Sequence, residues 1–196
     1  DGTKSSRNKP TMIVDAGVIE VAPGNTHTLF LKYDGSLWAM GQNHKGQLGD
    51  GTTTTRLDPV RILDGNVSRI AAGHQFNLVL KTDGSLWSFG HNHQGQLGDG
   101  TLIDRNASVQ VVDANVTTIA CGNEHGMFLK ADGSAWTFGN NGNYRLGDGT
   151  SNRRISPVKI FDANVTAISA GSNNSFFLKN DDSLWGVGLA RHSILG

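Results

Sequence analysis

Thr82-Asp83-Gly84-Ser85-Leu86-Trp87-Ser88-Phe89-Gly90, followed by Gln96-Leu97-Gly98-Asp99-Gly100-Thr101, is the stretch that decides the fold. It reads as a tight turn, a strand closed by a glycine, a polar loop and a glycine-rich corner. The pattern occurs four times. Trp38, Trp87, Trp136 and Trp185 stand 49 residues apart, as do Gly41, Gly90, Gly139 and Gly188. Four units of 49 account for all 196 residues. A fixed period in this range marks a repeat architecture, in which each unit buries its apolar face only by stacking on the next.

Working outward through one unit, Pro59 to Leu63 is a short alternating strand, and Asp64-Gly65-Asn66 a turn. Val67 to Gly73 narrows to small residues, as an innermost strand near an axis requires. Leu78-Val79-Leu80 is apolar on both faces, so it should be covered on both sides. Asp83-Gly84 asks for a two-residue primed hairpin turn. Leu86 to Phe89 is the fourth strand, with Trp87 and Phe89 on one face. No segment shows helical spacing. The reading is all-β: a β-propeller of four-stranded antiparallel blades. Each Trp is expected in the layer between blades, where it would bury ~150–250 Å². Blades are expected at about 18–63, 67–112, 116–161 and 165–188, in one repeat domain over 1–196. Residues 10–14 match Pro59 to Leu63, and the last unit lacks that strand. The N-terminal strand is therefore expected to complete the last blade, in cis or in trans. Three closures stay open: half of an eight-bladed ring made by two chains, part of a larger ring, or a closed four-blade ring.

Seventeen Lys plus Arg balance seventeen Asp plus Glu. Zero net charge argues against a nucleic-acid backbone as partner, and no apolar run approaches the ~18 residues of a membrane helix. No signal peptide is visible. A single cysteine, Cys121, excludes an internal disulfide and leaves the compartment open.

Ile70-Ala71-Ala72-Gly73, Asp83-Gly84-Ser85-Leu86-Trp87, Phe89-Gly90, Asn92 and Gly95-Gln96-Leu97-Gly98 together resemble the regulator of chromosome condensation repeat, in its bacterial-type tandem form. The resemblance covers the whole chain and implies a propeller, usually of seven blades. It also raises guanine nucleotide exchange on a small GTPase, or β-lactamase inhibition, as alternatives to a plain protein-interaction scaffold. Exchange in that family depends on a wedge inserted in one blade, and four units of equal length leave no room for it.

No Ser-His-Asp, Cys-His or paired-carboxylate set can be assembled by spacing, so no catalytic residue and no cofactor are expected. His91-Asn92-His93 has metal-like spacing but no acidic neighbour in sequence, so no metal is expected. Gly49-Asp50-Gly51-Thr52 and its copies read as corners whose Asp and Thr bond nearby backbone. Arg7, Arg56, Arg105 and Arg154 recur in phase and are expected to bridge between blades. Binding should lie where the units differ: Phe76, His91, His93, Tyr144, Arg145 and Arg191 are the expected contact residues for a protein partner. A homodimer formed by exchange of the N-terminal strand is expected as one assembly.

Overall fold

A computed structural model of the chain describes residues 2–190 and 195. Its fifteen strands include no helix among the described residues. Blade 1 is β1 (Val18–Pro23), β2 (His27–Lys32), β3 (Leu37–Gly41) and β4 (Arg56–Leu63). Blade 2 is β5 (Val67–Ala72), β6 (Phe76–Lys81), β7 (Leu86–Gly90) and β8 (Arg105–Val112). Blade 3 is β9 (Val116–Cys121), β10 (His125–Lys130), β11 (Ala135–Gly139) and β12 (Arg154–Phe161). Blade 4 has three strands, β13 (Val165–Ala170), β14 (Asn174–Lys179) and β15 (Leu184–Gly188). All pairings are antiparallel and sequential, from the innermost strand outward. The all-β propeller is therefore the observed architecture, in four blades.

The hairpin between the second and third strands of each blade is tighter in chemistry than the sequence suggests. Gly84 N–H donates to Lys81 C=O and Lys81 N–H to Ser85 C=O, 3.0 Å each. This is a three-residue loop with Gly84 alone at positive φ, not a two-residue primed turn. The conserved-in-phase side chains explain it. Asp83 Oδ1 accepts from Ser85 N–H (2.9 Å) and from the Ser85 hydroxyl (2.6 Å), and Ser85 Oγ accepts from the Trp87 indole N–H (2.8 Å). The run Asp-Gly-Ser-x-Trp thus fixes its own turn; it recurs at Asp34 and Asp132, and at Asp181 with Asp182 in place of the glycine at φ +63°. Hydrogen bonds from Ser85 to the ionised Asp83 carboxyl hold it below the usual carboxylate range.

Between blades lies the core, and it is not built from tryptophan. Leu29, Leu31 and Leu37 of blade 1 meet Val67, Ile70, Val79 and Phe89 of blade 2. Leu78, Leu80 and Leu86 of blade 2 meet Phe128 and Phe138 of blade 3. Met127, Leu129 and Ala135 then meet Val165 and Phe177 of blade 4. The indoles of Trp38, Trp87 and Trp136 are only half-buried at the margin of these layers, because each must keep its N–H on a serine at the turn. Their rings are covered by neighbours: Trp136 stacks on Phe128, and the Lys81 ammonium sits 3.8 Å from the Trp87 centroid.

Two sets of backbone bonds stitch consecutive blades. On one side Asn25 N–H donates to His74 C=O, His74 N–H to Asn123 C=O, and Asn123 N–H to Ser172 C=O. On the other, Val67, Val116 and Val165 N–H donate to Gly35, Gly84 and Gly133 C=O. No backbone bond joins blade 1 to blade 4 among the described residues, so the four blades form an open arc.

A third link is polar and buried. His27 Nε2 lies 2.8 Å from Asn77 Oδ1, and Asn77 Nδ2 donates to Gln47 C=O. His125 Nε2 lies 3.0 Å from Ser175 Oγ, which donates to Arg145 C=O. Phe76 fills the same position in blade 2, where it is fully buried with its ring against Gly73. Burial pushes the His125 imidazole down to about 3. Its folded pKa lies below its unfolded value, so the unfolded chain binds more protons between about pH 6.5 and pH 3. Stability is fully present above pH 6.5 and falls on acidification, by about 1.4 kcal/mol per pH unit in that window. His125→Phe, which copies blade 2, is expected to flatten this slope in urea titrations between pH 7 and pH 4. An unchanged slope would show that His125 is not the group that titrates.

Candidate functional site: the loop end of the arc

The loops that follow the first and third strands of each blade lie together at one end of the arc. Gln42, His91, Asn140 and Leu189 N–H donate to Thr26, Gln75, Glu124 and Asn173 C=O, which ties the two loops of each blade side by side. Gly41, Gly90 and Gly139 make this possible. At Gly90 φ is +110° and a Cβ would lie 2.5 Å from Gln75 C=O, so only glycine lets the third strand pass under the first loop.

Each long loop between the third and fourth strands is organised by one asparagine. Asn92 Oδ1 accepts from Leu97 N–H (3.0 Å), while its Nδ2 donates to Asp99 Oδ1 (3.0 Å), Thr101 C=O (3.1 Å) and Ile103 C=O (3.1 Å). Asn43 and Asn141 do the same work on Leu48, Asp50 and Thr52 and on Leu146, Asp148 and Thr150. All three asparagines are buried. The corner acid then takes the repeated arginine: Arg105 Nε and Arg105 Nη2 each reach Asp99 Oδ2 at 2.8 Å. Burial alone would raise the Asp99 pKa, but Thr101, Arg105 and Asn92 together hold it below the usual carboxylate range. Arg56 and Arg154 pair with Asp50 and Asp148 in the same way. The repeated arginines therefore close a corner within their own loop, and the bridge between blades expected of them is made by backbone and by the buried His–Asn and His–Ser pairs instead.

The residues singled out for binding divide sharply. Phe76 is fully buried in the layer between blades 2 and 3, and Arg145 is buried with its guanidinium donating to Gly142 C=O at 3.1 and 3.3 Å. Neither is a surface anchor. Both stand where the repeat ordinarily has another residue, and apolar area or a free backbone carbonyl claimed each of them for the scaffold. Tyr144 is 60% exposed, in the left-handed region at φ +62°. Arg191 lies outside the described residues. His91 is half-buried and His93 exposed, with ring centroids 4.6 Å apart.

The chain also brings an acid to these histidines from farther along the loop, 13 residues beyond His91 and 11 beyond His93. Asp104 Oδ1 accepts from Asn92 N–H at 2.8 Å and lies 3.9 Å from His93 Nε2. One ligand atom from each of His91, His93 and Asp104 falls within 4.8 Å of the others. Spacing alone hides this neighbour, because the loop doubles back through the Asp99 corner. Two of the three groups are already engaged: Gln96 Nε2 contacts His91 Nδ1 at 3.0 Å, and the Lys45 ammonium of blade 1 sits 3.4 Å from Asp104 Oδ2. The cluster is a polar clasp between neighbouring loops, reinforced by Arg153 donating to His93 C=O at 3.0 Å.

At the arc's axis the first loops surround a cavity of about 270 Å³ lined by Asn25, His74, Asn123 and Ser172 above Pro23, Ala72, Cys121 and Ala170. Desolvation pushes the Cys121 thiol far up, so it stays protonated and is a poor nucleophile.

Comparison with known proteins agrees with this architecture. The regulator of chromosome condensation (RCC1) repeat model matches residues 34–80, 83–129 and 132–178, and a second model of the same repeat matches 18–47, 67–96 and 116–145. The chain belongs to the RCC1 repeat family. Among solved structures it is similar to yeast RCC1 (Prp20) bound to Kap60, at 24% identity and a TM-score of 0.78 over 92% of this chain and 45% of that one. Human WBSCR16 matches at 25% identity and 0.79, over 91% of this chain and 50% of that one. Prp20p from Saccharomyces cerevisiae, a protein that binds Gsp1p and histones, matches at 25% identity and 0.75, over 91% of this chain and 47% of that one. The chain thus spans about half the length of these structures. No curated protein matches it.

Asn92→Ala is expected to leave the Leu97 amide and the Asp99 carboxylate short of partners and to cost about 2–4 kcal/mol. Chemical denaturation checks this. A loss under about 0.5 kcal/mol would mean that the corner forms without the asparagine.

Proposed function

We propose that this chain is a non-catalytic protein-binding scaffold whose contact surface is the loop end of the arc. The observation that carries the reading is the division of labour among the loop residues. Those common to the repeats, Asn43, Asn92 and Asn141 with their corner acids and arginines, are buried and bonded to one another. Tyr144, which stands where the other repeats have Gly46 and Gly95, and His93, shared with His44 but replaced by Gly142 in the third repeat, project from the same end. A scaffold that keeps its shared residues inside and varies its exposed ones can change partner without changing fold. Tyrosine offers a large contact area with few rotors to freeze, which suits a protein interface.

Membership of the RCC1 family supports an interaction role at family level. Yeast RCC1 (Prp20) has been solved bound to Kap60, and Prp20p binds Gsp1p and histones. For this chain a protein partner is the proposal, and exchange on a small GTPase is the weaker reading, since the β3–β4, β7–β8 and β11–β12 connections have nearly equal length and none extends as a wedge.

A photo-reactive amino acid placed singly at His93 or Tyr144 tests the reading against one placed at Asp34 or Asp83 on the opposite end. Covalent adducts to the same protein from both loop-end positions, and from neither turn position, are expected. Adducts from the turn end instead would overturn it. Stoichiometric addition of the chain to a nucleotide-loaded small GTPase is expected to leave nucleotide release unchanged.

A further inference from the structure

The long loop of the second unit gathers three metal-ligating side chains, and the repeat does not account for them. The positions of His91, His93 and Asp104 hold Gln42, His44 and Thr55 one unit earlier, and Asn140, Gly142 and Arg153 one unit later. The corner in this loop forms in the other units without the set, and the third unit even puts a cation where the second has its carboxylate.

One donor atom from each of the three lies within 4.8 Å of the others. Bonds of about 2.1 Å at a tetrahedral centre hold two donors about 3.4 Å apart. His93 Nε2 and Asp104 Oδ1 are already within 3.9 Å, and the exposed His93 side chain has room to close the rest. Asp104 is held in place from behind, since Oδ1 accepts from Asn92 N–H at 2.8 Å. Burial holds the His91 pKa below the usual imidazole range, so at pH 7 its ring is neutral and has a lone pair to give. A cleft of about 260 Å³, whose walls include Lys45 and Asp104, opens beside the carboxylate and gives a hydrated ion a way in.

We infer that His91, His93 and Asp104 bind one divalent transition-metal ion of the zinc class, with water completing its coordination. Two imidazoles and a carboxylate suit zinc, nickel or copper, whereas magnesium and calcium want oxygen donors throughout. Two groups yield to the ion. Lys45 Nζ, 3.4 Å from Asp104 Oδ2 and already 36% exposed, swings into solvent. Gln96 Oε1 accepts from Gln94 N–H, which turns the amide nitrogen to His91 Nδ1 as a donor. The proton of the neutral ring is then on Nε2. Binding takes the Nδ1 lone pair or moves that proton across the ring, and either way Gln96 Nε2 loses its partner. The fold tolerates this, because Gln47 Nε2 at the same position in the first unit is buried with no partner. The site stands on this cluster and needs no protein partner to form.

The test is isothermal titration calorimetry of the untagged chain with zinc chloride, near neutral pH in a non-coordinating buffer. One ion per chain is expected, with a dissociation constant on the order of 10 µM. His91→Gln, His93→Gly and Asp104→Thr copy the neighbouring units, so each should fold with unchanged circular dichroism. Each is expected to weaken binding by roughly tenfold or more. Lys45→Gln removes the competing cation and is expected to tighten binding by roughly threefold or more. His74→Gln, exposed at the axis of the arc, is expected to change nothing and controls for adventitious zinc on surface histidines. No binding at about 1 mM zinc would overturn the proposal. So would an affinity that the three ligand substitutions leave unmoved, that Lys45→Gln fails to raise, or that His74→Gln lowers as much as they do.

Discussion

The layer between neighbouring sheets is what the rest of this molecule depends on. A four-stranded sheet of five- to eight-residue strands has two apolar faces and almost no interior of its own. Leu29, Leu31 and Leu37 reach full burial only because Val79 and Phe89 of the next blade lie against them. The same holds twice more along the chain. Apolar burial at roughly 25 cal/mol per Å² is gained only in pairs of blades, so no blade's stability belongs to it alone. The backbone stitches at either end of each layer set the spacing, and the buried His27–Asn77 and His125–Ser175 links set the register.

Once the layer is granted, the loops follow. Sheets packed this closely leave their connections at the two ends of the arc. The end bearing the short turns is self-contained, each Asp–Ser–Trp relay satisfying itself. The other end has to span from third to fourth strand, and it does so with an asparagine, a corner acid and an arginine. These groups are consumed inside the loop. That is why a ring of repeated charges, which could pass for a binding surface, is instead architecture, and why the unrepeated exposed residues carry the proposed contacts.

Much of this was legible from the chain itself. The period of 49 placed the sheets, since Trp and Gly recur wherever a third strand begins and ends. The two-sided apolar run Leu78–Leu80 marked a strand covered on both faces, and it is fully buried. Other features were not legible because they depend on what lies across a layer. Phe76 reads as an unusual loop aromatic until its ring is found fully buried in the layer with Phe128 and Phe138 of the next blade. Arg145 reads as a hot spot until Gly142 C=O is found beneath it. Asp104 reads as an isolated loop acid, yet the turn at Asp99 carries it back to His91 and His93. Tryptophan was expected at the centre of the layers, but its indole N–H ties it to a serine at their rim.

The most direct test of the claim that a blade exists only beside another is a single blade cut free. Residues 67–112 expressed alone, under native conditions and well below aggregation, should give the poorly dispersed amide proton spectrum of an unfolded chain. A dispersed spectrum with protected amides in β6 and β7 would contradict the account, because it would mean that the sheet holds together without the layer.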